Sequence, residues 1–208
     1  DNELSYYWAG FIAADGCISK NTISFGNQEK DKEILEKFIV QSCGTQKVKI
    51  VNRSDSRPGF KDGTLATLSV VSRQMVEDLK RFGIGPKKSK TYKIPTNLDP
   101  HLFKHFIRGI MDGDGSIAID AIQFCGTEES VKYIFDHLRS TLNLSGGSCC
   151  KSKMIYNFAF RSILDKKRII NYLYENSTVY MNRKFEASRD ILKLKYQINT
   201  KKSQLDLI

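Results

Sequence analysis

One stretch of this chain is written twice. The segment Tyr7 to Ser19, YWAGFIAADGCIS, returns as Phe106 to Ile117, FIRGIMDGDGSI, with Asp15 and Asp114 in matching positions 99 residues apart. The offset persists, since Ile23 and Phe25 match Ile122 and Phe124, and an acidic segment follows each pair, 27-NQEKDKEILEKFIV and 126-GTEESVKYIFDHLRSTL. Farther on, 72-SRQMVEDLKRFG pairs with 161-RSILDKKRIINYLY at a shorter offset, so the first copy carries extra residues, placed in 52-NRSDSRPGFKDGT. An internal repeat governs the whole fold assignment. Here it divides the 208 residues into two lobes, 1–96 and 97–208, joined by a linker from Pro95 to Pro100.

Periodicity fills in each lobe. Tyr7, Phe11 and Ile12, and again Phe106, Ile110 and Met111, recur at helical spacing, and each run closes at Gly16 or Gly115, glycine being the usual residue just past a helix. Asp99-Pro100 reads as the start of the second of these helices, an N-cap acid with proline at the first position. The alternating runs 21-NTISF, 47-KVKIV, 65-LATLSVV, 117-IAIDAIQF and 155-IYNFAF read as strands with one apolar and one polar face. The expected class is α/β (α+β), with helix, two strands, helix, two strands, helix in each lobe.

Composition narrows the function. Thirty-three Lys and Arg against 23 Asp and Glu leave a net charge of +10, which draws a chain toward polyanions. No apolar run approaches the ~18 residues of a membrane span, and Asp1 to Tyr7 lacks the basic start and apolar centre of a signal peptide. The expected setting is intracellular. The five cysteines, with no C-x-x-C and with Cys149 and Cys150 adjacent, read as buried or unreactive thiols of a reducing compartment. Three histidines leave little for a His-based zinc site or triad, so any metal chemistry falls to carboxylates.

Each repeated aspartate closes a helix that carries small residues four apart, Gly10 with Ala14 and Gly109 with Gly113. Such spacing lets helices approach backbone to backbone. If the two helices pair, Asp15 and Asp114 emerge together near the unpaired carbonyls of Ala14 and Gly113, a hard-oxygen set suited to Mg²⁺ or another divalent cation such as Mn²⁺. That site can activate water for phosphodiester hydrolysis. An isolated Asp-Gly is an ordinary turn, but two in register call for more. A calcium loop from Asp112 is ruled out by Gln123 at its twelfth position, where a bidentate Glu is needed.

The nine-residue motifs 8-WAGFIAADG and 107-IRGIMDGDG resemble those of the LAGLIDADG homing endonucleases in their single-chain, two-motif form, and the similarity runs from about residue 5 to 190. Both keep the glycine at position three, the aspartate at position eight and the closing glycine; Ala13 replaces the acid at position six that lobe 2 keeps as Asp112. The resemblance implies a pseudo-twofold monomer of αββαββα lobes, motif helices at the interface and two antiparallel sheets forming a saddle on a long, asymmetric double-stranded DNA site. It implies cleavage of both strands with divalent metal, leaving 3′ overhangs, with Asp15 and Asp114 as metal-binding acids. It further implies a basic residue per lobe. Lys88 and Lys184, 73 and 70 residues past their aspartates, are the candidates, with Lys90 and Lys93 as rivals in lobe 1. A bacterial, phage or organellar setting follows from the same resemblance.

Independently, Lys20, Asn21, Lys47, Lys49, Asn52, Arg53, Arg57, Lys61, Ser152, Lys153, Asn157 and Arg161 fall on or beside the strands, where alternate side chains can match the major groove's donors and acceptors. The excess positive charge is expected mainly there, with the loop Asn52 to Asp62 as a clamp. A DNA-binding regulator and an RNA maturase on the same fold are the alternatives; an intein is disfavoured by the absence of a terminal nucleophile and His-Asn pair.

Overall fold

A computed structural model describes residues 1–53, 63–88, 91–152 and 155–194. Lobe 1 runs α1 (Glu3–Asp15), β1 (Cys17–Ser19), β2 (Thr22–Gln28), α2 (Lys32–Gln41), β3 (Lys49–Arg53), β4 (Gly63–Val71) and α3 (Arg73–Leu79). Lobe 2 runs α4 (Phe103–Asp114), β5 (Ser116–Ile117), β6 (Ile122–Gly126), α5 (Glu128–Leu142), β7 (Ser148–Ser152), β8 (Ile155–Phe160) and α6 (Ile163–Tyr174), then adds α7 (Asn182–Lys193), a helix without a counterpart in lobe 1 among the described residues. Each lobe holds a four-stranded antiparallel sheet, ordered β1-β2-β4-β3 and β5-β6-β8-β7.

Alternation decides which sheet face is covered. Ile23 and Phe25 pair with Val70 and Leu68, Ile122 and Phe124 with Phe160 and Phe158, and all eight are buried under the helices. Trp8 and Phe11 of α1 extend the first aromatic layer to Phe25 and Phe38. At the lobe interface α1 lies along α4 so closely that a Cβ on Gly10 would stand 2.0 Å from the Phe106 carbonyl oxygen, and one on Gly109 2.1 Å from that of Tyr7. Only glycine fits at either position. Buried Arg108 crosses the same seam, its Nη2 donating to Glu3 Oε1 (2.5 Å) and its Nη1 to the Leu173 carbonyl (2.8 Å).

The structure revises several local expectations. α4 begins at Phe103 rather than after Asp99, because Asp99 Oδ1 accepts the His101 amide (2.8 Å) in a tight turn that precedes the helix. The run from Ile117 is a hairpin rather than one strand: the Ala118 amide bonds the Ala121 carbonyl (3.0 Å) and reverses the chain. Gly16 and Gly115 end their helices at negative φ; what demands glycine is space, since a Cβ would lie 2.8 Å from Ile12 O and 2.7 Å from Met111 O. Cys17, Cys43, Cys149 and Cys150 are exposed, and Cys125 half-buried, because strand alternation and chain turns set their positions rather than core packing. The extra residues of lobe 1 fall largely in 54–62, outside the described residues.

Candidate active site at the paired helix ends

The close helix pairing brings the two repeated carboxylates together. A Cβ on Gly113 would meet the Ala14 Cβ at 2.4 Å and the Asp15 carboxyl carbon at 3.5 Å, so the C-terminal ends of α1 and α4 abut where Asp15 and Asp114 emerge. Burial pushes the carboxyl of half-buried Asp15 above the usual range, opposed by an Asn27 Nδ2 hydrogen bond (2.8 Å) and by Lys184 and Lys88. Asp114, open to solvent on one side, is raised by burial on the other and by the neighbouring Asp15 charge. The two acids thus feel each other and both lysines across the lobe boundary.

Both lysines are buried rather than solvated at strand ends: Lys88 is 8% exposed and Lys184 4%. Lys184 Nζ donates to the carbonyls of Met111 (2.6 Å), Asp112 (2.6 Å), Gly115 (2.8 Å) and Gly113 (3.2 Å), placing a cation on the negative end of α4. Lys88 Nζ reaches the Ala14 carbonyl at 3.4 Å. Ala14 and Gly113 occupy the same motif position, so the lobes repeat the contact in loose and tight forms. Burial lowers the pKa of both ammonium groups, with Asp114 and Asp15 opposing it at Lys88 and Asp112 foremost at Lys184. Lys93 instead pairs with Glu129 (2.8 Å), and Lys90 lies outside the described residues.

Sequence reading passed over Asn27 and noted Asp112 only as a difference between the two motifs; the fold gives each a place. Asn27, at the end of β2, is 8% exposed; with Nδ2 committed to Asp15, its Oδ1 is buried without a hydrogen-bond partner. Its lobe 2 counterpart at the 99-residue offset is Gly126, so comparing the copies hid it. Asp112 is fully buried and accepts Tyr7 OH (2.7 Å), Tyr174 OH (2.6 Å) and the Met181 amide (2.7 Å), a hydrogen-bonding role that its buried counterpart Ala13 cannot fill. A cavity of about 550 Å³ flanks Asp114, lined in part by Ala14, Lys88, Ile110 and Tyr156. Among the described residues no cluster of three or more His, Cys, Asp or Glu forms; the oxygen donors are two carboxylates, main-chain carbonyls and the orphaned Asn27 oxygen, a hard set that fits Mg²⁺ or Mn²⁺.

The strand-borne candidates separate. Lys49 and Arg53 share the outward face of the first sheet with Thr67, Ser24 and Ser69 by register, while alternation turns Asn52 to the opposite face, with Ile50 and Ala66. Lys20 and Asn21 form the exposed β1–β2 turn, and Lys47 lies exposed before β3. On the second sheet Asn157 stands between Cys125 and Cys150 on the outward face, and Arg161 Nη1 donates to Ser148 Oγ (3.3 Å). Arg57, Lys61 and Lys153 lie outside the described residues, as does most of the clamp loop; Ser152 ends β7. Many other cations sit on helices in ion pairs, as in Lys32–Glu36 and Lys132–Glu128, so among the described residues the positive charge is not concentrated on the sheets.

No protein-family profile and no curated protein matches the chain. Solved structures do. The homing endonuclease I-WcaI bound to its DNA recognition sequence aligns with a TM-score of 0.65 at 13% identity, over 88% of this chain and 86% of that one. I-SmaMI bound to uncleaved DNA target in the presence of calcium ions aligns at 0.57 and 14%, over 90% of each. Full-length DUF199/WhiA from Thermatoga maritima aligns at 0.59 and 17%, over 95% of this chain but 63% of that chain, and the N-terminal LAGLIDADG domain of WhiA at 0.56 and 15%, over 88% and 86%. Paired helices, twin sheets of identical strand order and this likeness together give the chain the LAGLIDADG fold.

Proposed function

We propose that this chain is a site-specific, metal-dependent DNA endonuclease that cuts both strands of a long asymmetric duplex site, leaves 3′ overhangs, acts as a monomer and belongs to a mobile intron or free-standing mobile element. The observation that carries the reading is the meeting of Asp15 and Asp114 at the ends of two glycine-paired helices, each with its own buried lysine. When bound, Mg²⁺ or Mn²⁺ would supply an activated water and stabilise charge on the scissile phosphate. Asp15, Asp114 and the carbonyls of Ala14 and Gly113 would hold it, with Asn27 Oδ1 beside Asp15. Asn27 Nδ2 orients the Asp15 carboxylate. Lys88 and Lys184 keep positive charge at the site without solvent, where it acts on a phosphate oxygen more strongly than in water. Lys20, Asn21, Lys49, Arg53, Asn157 and Arg161 are the candidates for reading and gripping the duplex.

A DNA-binding regulator is the second reading, favoured by the likeness to WhiA over 95% of this chain. Incubation with Mg²⁺ and a randomised duplex library, followed by sequencing of ends, decides between them. Double-strand breaks with 3′ overhangs at one sequence class, lost with chelator and in Asp15→Asn or Asp114→Asn while binding persists, support the nuclease. Selective binding without breaks favours the regulator.

A further inference from the structure

Helix α7 belongs to lobe 2 by sequence, yet its first turn is gripped by lobe 1. Arg183 donates Nε and Nη2 to the two oxygens of Asp31, each at 2.9 Å, and Asp31 is buried at 5% exposure in the 3₁₀ turn Glu29–Asp31 that follows β2. Glu33 Oε1 accepts the Asn182 amide (3.0 Å), and Lys37 Nζ donates to Asn182 Oδ1 (2.7 Å) and the Tyr180 carbonyl (2.8 Å). Two carboxylates therefore stand at the positive end of a twelve-residue helix, where such charges stabilise it. Lobe 2 meets the same turn through the Met181 amide on Asp112, the ring of Phe185 against Tyr174, and Lys184 itself. Lys184 is the residue after Arg183, and its four carbonyl contacts require that turn to stay put.

We propose that Asp31 is a positioning residue for Lys184: through its bidentate pair with Arg183, supported by Glu33, lobe 1 sets the lysine seated on the carbonyl end of α4. The catalytic part rests on the endonuclease reading; the positioning part does not. Lys88 is held by different contacts: the Tyr92 amide bonds the Lys88 carbonyl (2.9 Å), and the Tyr92 carbonyl accepts Thr127 Oγ1 (2.6 Å) and Ser130 Oγ (3.0 Å) of lobe 2.

Acylation of the intact protein by acetic anhydride, quantified at each lysine by mass spectrometry, tests this without substrate. In Asp31→Asn and Arg183→Leu, Lys184 labelling should rise about tenfold or more, the scale set by losing a charge-assisted bidentate pair, while Lys88 stays protected. The exchange Asp31→Arg with Arg183→Asp should restore protection. Equal exposure of Lys88 and Lys184 would mean general loosening, and unchanged Lys184 protection would mean that lobe 1 does not hold it; either overturns the proposal. On a cleaved site from the duplex library, Asp31→Asn should accumulate nicked circles, with kcat reduced and KM unchanged; equal loss on both strands counts against it. A wild-type chain that cuts nothing, with Lys184 labelling still dependent on Asp31, would sink the nuclease reading and leave the positioning intact.

Discussion

Tyr7 and Asp112, 105 residues apart, share a 2.7 Å hydrogen bond inside the lobe interface. The carboxylate takes three donors in all, and burial pushes its pKa up against them. Asp112→Asn replaces an acceptor with a donor facing donors, and should cost about 2–4 kcal/mol. Urea unfolding monitored by circular dichroism checks this, and a loss below ~1 kcal/mol would mean that the triad is not a unit.

Backbone contact at Gly10 makes a sharper test. Gly10→Ala drives a methyl into the Phe106 carbonyl and should lower stability by about 3 kcal/mol or more. Gly26→Ala, where nothing lies within 4 Å, should stay within about 1 kcal/mol of the parent. Thermal melts of the two variants should therefore separate clearly.

The carboxylates at the helix ends work against the fold that carries them. A carboxyl whose folded pKa is raised adds stability below its unfolded value and loses it as pH rises through the folded one; Asp15 and Asp114 are both raised. At neutral pH, Asp15→Asn and Asp114→Asn should each raise Tm by ~1–3 °C and abolish Mn²⁺ or Tb³⁺ binding read by luminescence or calorimetry. In the parent, metal affinity should begin to fall at a higher pH than for an ordinary aspartate.

His105 reports acidification of the interface. Burial first, then the neighbouring Arg108 charge, lower its pKa to about 4, and Arg108 Nη1 donates to its Nδ1 at 3.0 Å, which requires a neutral ring. The unfolded chain takes up a proton near 6.5 and the folded chain only near 4, so stability is lost as pH falls through that window, by up to ~3 kcal/mol. Denaturant midpoints at pH 7 and pH 4.5 measure it; His105→Gln should flatten the difference.

Much of this was legible in the chain because duplication exposes what is kept. The 99-residue offset picks out Gly10 with Gly109 and Asp15 with Asp114, and alternation at Ile23, Phe25, Ile122 and Phe124 fixes which sheet faces are covered. What stayed hidden is what the copies do not share. Asn27 faces a glycine at the matching position, and Asp112 stands out against Ala13 without comparison telling what it binds, because the partners of both lie beyond the reach of local pattern. β7, 148-SCCKS, carries no apolar alternation because its strand character comes from pairing with β8.

The Tyr7–Asp112 bond also bears on how such a chain can associate. At the 99-residue offset Tyr7 corresponds to Phe106, so two second lobes joined through α4 would set each buried Asp112 against a phenylalanine ring with no hydroxyl to offer. Two first lobes would face alanines across the same seam. Neither half can rebuild this bond with its own likeness, so the seam pairs unlike lobes in preference to like ones.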